Sequence, residues 1–129
     1  SNVGLGVVHG MAHPMGSLFD IPHGVANALL LPTIMEYNKP VCIDKYVEIA
    51  KAMDAYKEGM TKAEAAQAAC DAVRALAIEV GIPQHLSDLG ITAKDIDALA
   101  DQAIEDVCTP GNPRLVTRQD IVELYKKVL

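Results

Sequence analysis

The chain has 129 residues, enough for one domain that buries roughly two thirds of the surface its unfolded form exposes. Hydrophobic residues make up 50% of it, with one Phe, four Tyr and no Trp; the core must be aliphatic, which suits packed helices better than a sheet. A net charge of −6 with no Lys/Arg cluster excludes the phosphate backbone of a nucleic acid as a partner.

The three cysteines, Cys42, Cys70 and Cys108, are odd in number and far apart, with no CxxC pair. They build no disulfide framework and fit a reducing cytoplasm. No signal peptide is visible. The longest apolar run, Val25 to Met35, is broken by Asn27, Pro32 and Thr33 and is too short to span a bilayer. A soluble, cytoplasmic chain is expected.

The first helix is predicted from about Asn2 to Met15, ended by Pro14 and Gly16. It carries His9 and His13, four residues apart and therefore on one face. Gly16 to Pro22 is rich in turn formers and reverses the chain. Asp20 is positioned to cap the next helix, with Pro22 in its first turn and His23 at its N-terminus. Phe19 falls in the loop just before that cap, either as an anchor or as part of a pocket wall. The second helix is apolar on most sides (Val25, Ala26, Leu29, Leu30, Ile34, Met35), which marks it as central and buried. Pro32 should kink it without ending it. Asn27 is its polar exception, either a satisfied buried amide or a support to the histidines.

Asn38-Lys39-Pro40 makes a turn into a third helix, about Val41 to Tyr56. Thr61-x-x-Glu64 is a capping box that opens a fourth, alanine-rich helix, stopped by Gly81 with Pro83 beyond it. Residues 81 to 91 read as a loop with a surface histidine, His85. Thr92 to Asp95 caps a fifth helix to about Val107, on which Asp95, Asp97, Asp101, Glu105 and Asp106 read as a solvated face. The Cys108 to Arg114 turn, CTPGNPR, precedes a last helix from Thr117 to Leu129. No segment alternates with period two and no repeat appears. The fold expected is an all-α helical bundle.

Chemistry concentrates at the start. His9, His13 and His23 cluster in one glycine-rich hairpin, and neutral imidazole is the commonest side-chain metal ligand. An i, i+4 pair such as His9 and His13 is itself a metal-binding spacing. Taken one at a time, each histidine is as well explained by packing or capping.

The run GVVHGMAHPMG…PHGVANALLLP, together with CTPGNPR, closely resembles the iron-containing (group III) alcohol dehydrogenases, of the lactaldehyde reductase and propanediol dehydrogenase kind. The resemblance covers nearly the whole chain. It implies a metal-dependent, NAD(P)-linked oxidoreductase of small alcohols and aldehydes or ketones. His9 and His23 would be two of four ligands to a divalent metal, Fe²⁺ or a substitute such as Zn²⁺. His13 would lie beside nicotinamide and substrate as a catalytic residue, and the turn that carries Cys108 would be near the active-site cleft; Phe19 and Asn27 remain pocket or support candidates on the reading of the residues alone. Family members are about three times as long, with a nucleotide-binding α/β half and an Asp-x-x-x-His helix that are both missing from this sequence. Gly4-x-Gly6 lacks the preceding strand that a dinucleotide fingerprint needs. The sequence is therefore expected to be the C-terminal helical part of a two-domain enzyme, inactive alone and homo-oligomeric when whole. The alternative is a stand-alone metal-binding module using His9, His13 and His23 together.

Overall fold

The computed structural model describes residues 6–129; the expected start of the first helix at Asn2, and Gly4, lie outside them. Six α-helices follow in order: α1 Gly6–Phe19, α2 His23–Asn38, α3 Ile43–Ala52, α4 Lys62–Glu79, α5 Ile96–Glu105 and α6 Arg118–Lys127. Short 3₁₀ turns at Lys39–Val41, Leu86–Leu89, Ala93–Asp95 and Thr109–Gly111 join them. There is no strand among the described residues, so the bundle is all-α as composition requires.

Helix α1 packs against α2 on one side and α5 on the other, while α3 and α4 form a hairpin leaning on α2. The main core gathers Met11, Met15, Leu30, Ile34, Leu99, Ile121 and Tyr125, all within 1% of full burial. A second cluster holds Met35, Cys42, Tyr46, Ala50, Ala69 and Cys70. Leu31 packs against both, so α2 is the shared wall, as its apolar surface demands. Cys42 and Cys70 are small core residues, and burial pushes the Cys70 thiol up to about 11.

Several boundaries differ from those read locally. Helix α1 does not stop at Pro14 or Gly16 but runs to Phe19. Proline removes one internal hydrogen bond, and buried Met11, Ala12 and Met15 on either side hold the helix together across it. Its end is set by Asp20, which adopts left-handed φ of 57°. The Asp20 amide bonds the Gly16 carbonyl at 3.0 Å and the Ile21 amide bonds that of Met15 at 3.3 Å. Asp20 thus closes α1 and does not cap α2, whose N-cap is Pro22 with no side-chain bond. Phe19 is helical, half-buried and packed on the main core.

Helix α2 continues through Pro32 to Asn38, as expected. Helix α3 is shorter than Val41 to Tyr56 at both ends. Its start is delayed by the 3₁₀ turn through Pro40, and its end is fixed by Asp54 at φ 58°. The capping boxes at Thr61 and Thr117 form, and at Thr92 the Asp95 carboxylate accepts from the backbone amide and the hydroxyl. Helix α5 ends at Glu105, two residues early, because Asp106 turns into an extended conformation.

Candidate metal centre

His9 and His13 stand one turn apart on α1, and His23 is the first residue of α2. The reversal at Asp20 to Pro22 brings the third ring back over the first two. Ring centroids are 5.8 Å apart for His9 and His23, 5.4 Å for His13 and His23, and 6.4 Å for His9 and His13. Burial, then the neighbouring rings of His23 and His13, hold the His9 imidazole below the usual histidine range. A neutral ring has the free lone pair that a metal needs.

The carboxylate of Asp106 joins this cluster from just past the end of α5. His13 Nδ1 donates to Asp106 Oδ2 at 2.7 Å, and the Cys108 amide donates to Oδ1 at 2.8 Å. Burial opposes the charge of Asp106, but the bonds from Cys108 and His13 prevail, and the carboxyl titrates below its ordinary range. Asp106 therefore does not belong to the solvated face of α5. Asp97 and Asp101 do, pairing there with Arg118. Nothing local marks Asp106 out except that it lies two residues before the CTPGNPR motif; its partner is 93 positions away.

The motif itself fastens the loop. The Thr109 hydroxyl is buried and donates to the Ala103 carbonyl at 2.6 Å. Asn112 and the fully buried Asn38 exchange amide bonds at 2.8 and 2.9 Å. Arg114 donates to the Tyr37 carbonyl at 2.6 Å and lies over the Tyr37 ring at 4.2 Å. On the other side the loop needs glycines. A Cβ at Gly6 would run into the backbone of Cys108, Gly111 and Asn112, and one at Gly10 into the Thr109 side chain. Gly6 and Gly10 let the loop lie flat on α1 and so set Asp106 and Cys108 beside His13.

Cys108 is half-buried at this edge. Asn27 lies one turn beyond His23 on α2, and its buried Oδ1 has no hydrogen-bond partner among the described residues. His85 is exposed on its loop, remote in sequence from the other three.

The family Fe-containing alcohol dehydrogenase, C-terminal, matches residues 1–129. The chain belongs to the iron-containing alcohol dehydrogenase family. It is 58% identical to lactaldehyde reductase of Escherichia coli over 125 residues, covering 97% of this chain and 33% of that protein. It is 40% identical over 127 residues to 1,3-propanediol dehydrogenase of Citrobacter freundii, covering 98% and 33%. A crystal structure of 1,3-propanediol oxidoreductase superposes with a TM-score of 0.92 at 39% identity, over 95% of this chain and 32% of that one. This member of the iron-containing alcohol dehydrogenase family thus spans about a third of the length of the relatives it matches. Among the described residues no helix is long and apolar enough to cross a membrane.

The ring spacing would accommodate a divalent ion between two of the histidines. Two imidazoles sharing one ion through contacts of about 2.1 Å have centroids roughly 5–6 Å apart, and His9 and His23 meet that separation at 5.8 Å. So does the pair His13 and His23 at 5.4 Å. The unpartnered Asn27 Oδ1, on the His23 side of α2, is a further acceptor in want of a donor.

Proposed function

We propose that this chain is the C-terminal helical domain of a metal-dependent, NAD(P)-linked alcohol dehydrogenase, which interconverts a small alcohol and the corresponding aldehyde or ketone. The observation that carries this reading is the convergence of three imidazoles, from α1 and the start of α2, inside a chain matched along its whole length by this family. His9 and His23 would hold the divalent metal, Fe²⁺ or Zn²⁺. When bound, that ion supplies Lewis-acid polarisation of the substrate oxygen.

The other roles belong to side chains of this chain. His13, exposed at the edge of the cluster, orients the substrate and moves a proton between its ring and solvent. Asp106 holds the ring by accepting from Nδ1, which leaves Nε2 to face the substrate. Cys108 and Asn27 would border the pocket, and Phe19 would support its wall from the core side. The two remaining metal ligands and most of the nicotinamide site would lie on a nucleotide-binding domain outside the present sequence. The relatives' threefold greater length supports this.

One test is a chimera in which this chain replaces the C-terminal third of E. coli lactaldehyde reductase. It should turn over alcohol with NAD(P) and lose turnover on His9→Ala or His23→Ala, while the 129-residue chain alone should show none. A folded, nucleotide-binding chimera without activity would contradict the reading, and so would turnover by the chain alone.

A stand-alone metal-binding module is the second reading. It is favoured by the closeness of all three rings and by the carboxylate behind His13, since metal-bound histidines usually donate their other N–H to such a group.

A further inference from the structure

We propose that His13, Asp106 and Cys108 form a second divalent-cation site, suited to thiophilic ions of the Zn²⁺ class, beside the histidine pair. A ring nitrogen of His13, a carboxylate oxygen of Asp106 and Sγ of Cys108 lie within 4.8 Å of one another. Donors around tetrahedral zinc sit about 3.3–3.8 Å apart. The 2.7 Å between His13 Nδ1 and Asp106 Oδ2 must therefore open, and the sulfur must draw in, by about one ångström each.

The loop is built to allow this. Asp106 Oδ1 is pinned by the Cys108 amide, and the residues after Cys108 are locked by Thr109 and Asn112, so the backbone that carries both side chains is held while Sγ can turn about the Cα–Cβ bond. The moving groups are the Cys108 side chain and the His13 ring; the His13 side chain is 45% exposed and turns once its bond to Asp106 opens. Three protein ligands of N, O and S type with a water in the fourth place make an open zinc-like site. The thiolate sets its preference, because sulfur selects zinc-class ions over hard cations such as Mg²⁺.

Burial and the Asp106 carboxylate push the Cys108 thiol up. A bound cation neutralises that carboxylate, and the thiol and imidazole protons leave to solvent as the bonds form. An occupied site would also take the His13 ring away from the proton-moving role proposed above. Zn²⁺-class ions would then inhibit the intact enzyme through a locus distinct from the catalytic metal. That last consequence rests on the proposed function, whereas the binding itself does not.

The test is a Co²⁺ titration of the 129-residue chain with a non-thiol reductant present, read as sulfur-to-cobalt charge-transfer absorption. The expected result is a saturable band that Zn²⁺ displaces, that is absent in Cys108→Ser and that persists in the His9→Ala/His23→Ala double variant. Because a change at Cys108 can unsettle the loop, His13→Ala at an exposed position serves as the second variant. It should raise the Co²⁺ concentration for half-maximal absorption at least about tenfold, with helicity by circular dichroism unchanged. Cobalt uptake without the band, a band that survives Cys108→Ser, or a band lost with His9 and His23 would each overturn the proposal. The histidine-pair reading stands or falls separately, since it calls for no sulfur in the shell.

Discussion

Asp106 has two jobs in the fold, accepting from the His13 ring and from the Cys108 amide, and both its oxygens are used. Removing the charge by Asp106→Asn should release the ring more than it harms the fold. The His13 side chain is 45% exposed, so solvent screens the pair and the stability lost should stay below about 1 kcal/mol in urea denaturation. Nitrogen NMR of the His13 imidazole should meanwhile lose its bias toward the Nδ1–H tautomer. A tautomer unchanged in the variant would show that the carboxylate does not orient the ring. At this scale the histidines were legible, because three within fifteen residues of a glycine-rich hairpin are visible as a pattern. Asp106 was not. A carboxylate at the end of an acidic helix looks like its solvated neighbours, and only the contact across 93 residues distinguishes it.

Among the elements, the threonine start signals were readable, whereas the Asp20 cap read for α2 was not realised. The boxes at Thr61 and Thr117 form, because capping is decided by side chains within four residues of the helix start. Helix ends were less readable. Pro14 and Gly16 look like a stop, yet burial of α1 between α2 and α5 carries the helix past them to Asp20. Glycines mattered in an unexpected way: Gly6 and Gly10 serve close packing of the Thr109–Gly111 turn, which no local rule of chain reversal reveals. Gly10→Ala should therefore destabilise the domain by about 1–3 kcal/mol, the usual cost of overpacking, despite alanine's better helix propensity. A urea midpoint equal to or above wild type would show that the turn gives way freely.

The cap of α6 makes a pH prediction. Asp120 accepts from the Thr117 backbone amide and from Tyr37, and despite partial burial its carboxyl is held below the usual range. A carboxyl depressed in the fold takes up its proton first in the unfolded chain, so the stabilisation is full above the ordinary Asp pKa of about 3.9 and is lost as the pH falls through the lower folded value. Asp106 adds to the same trend. Denaturation midpoints should thus hold from pH 6 to about pH 4 and drop below it. Asp120→Asn should start about 1 kcal/mol lower at pH 6 and fall less on acidification. An equal fall in both proteins would exclude Asp120 as a source of the acid sensitivity.

At the scale of the whole molecule, the bundle is a frame that folds one glycine-rich hairpin against one loop. The tight attachment of the CTPGNPR motif to α1 and α2 accounts for its residues from Thr109 onward. Val107 and Leu115 flank this loop and stand 91% and 86% exposed. The all-α class followed from composition and periodicity. The separation of the core into two clusters did not, because it depends on which faces of α2 each neighbour takes.

The central claim is that His9 and His23, and not His13, hold the metal. Anaerobic calorimetric titration with Fe²⁺, in a Cys108→Ser background that silences the thiolate, tests it most directly. His9→Ala and His23→Ala should each weaken binding at least about tenfold, and His13→Ala should leave the affinity within about twofold of the parent, well under the tenfold that 1.4 kcal/mol produces. Binding that survives the loss of His9 or His23 but disappears with His13 would contradict it.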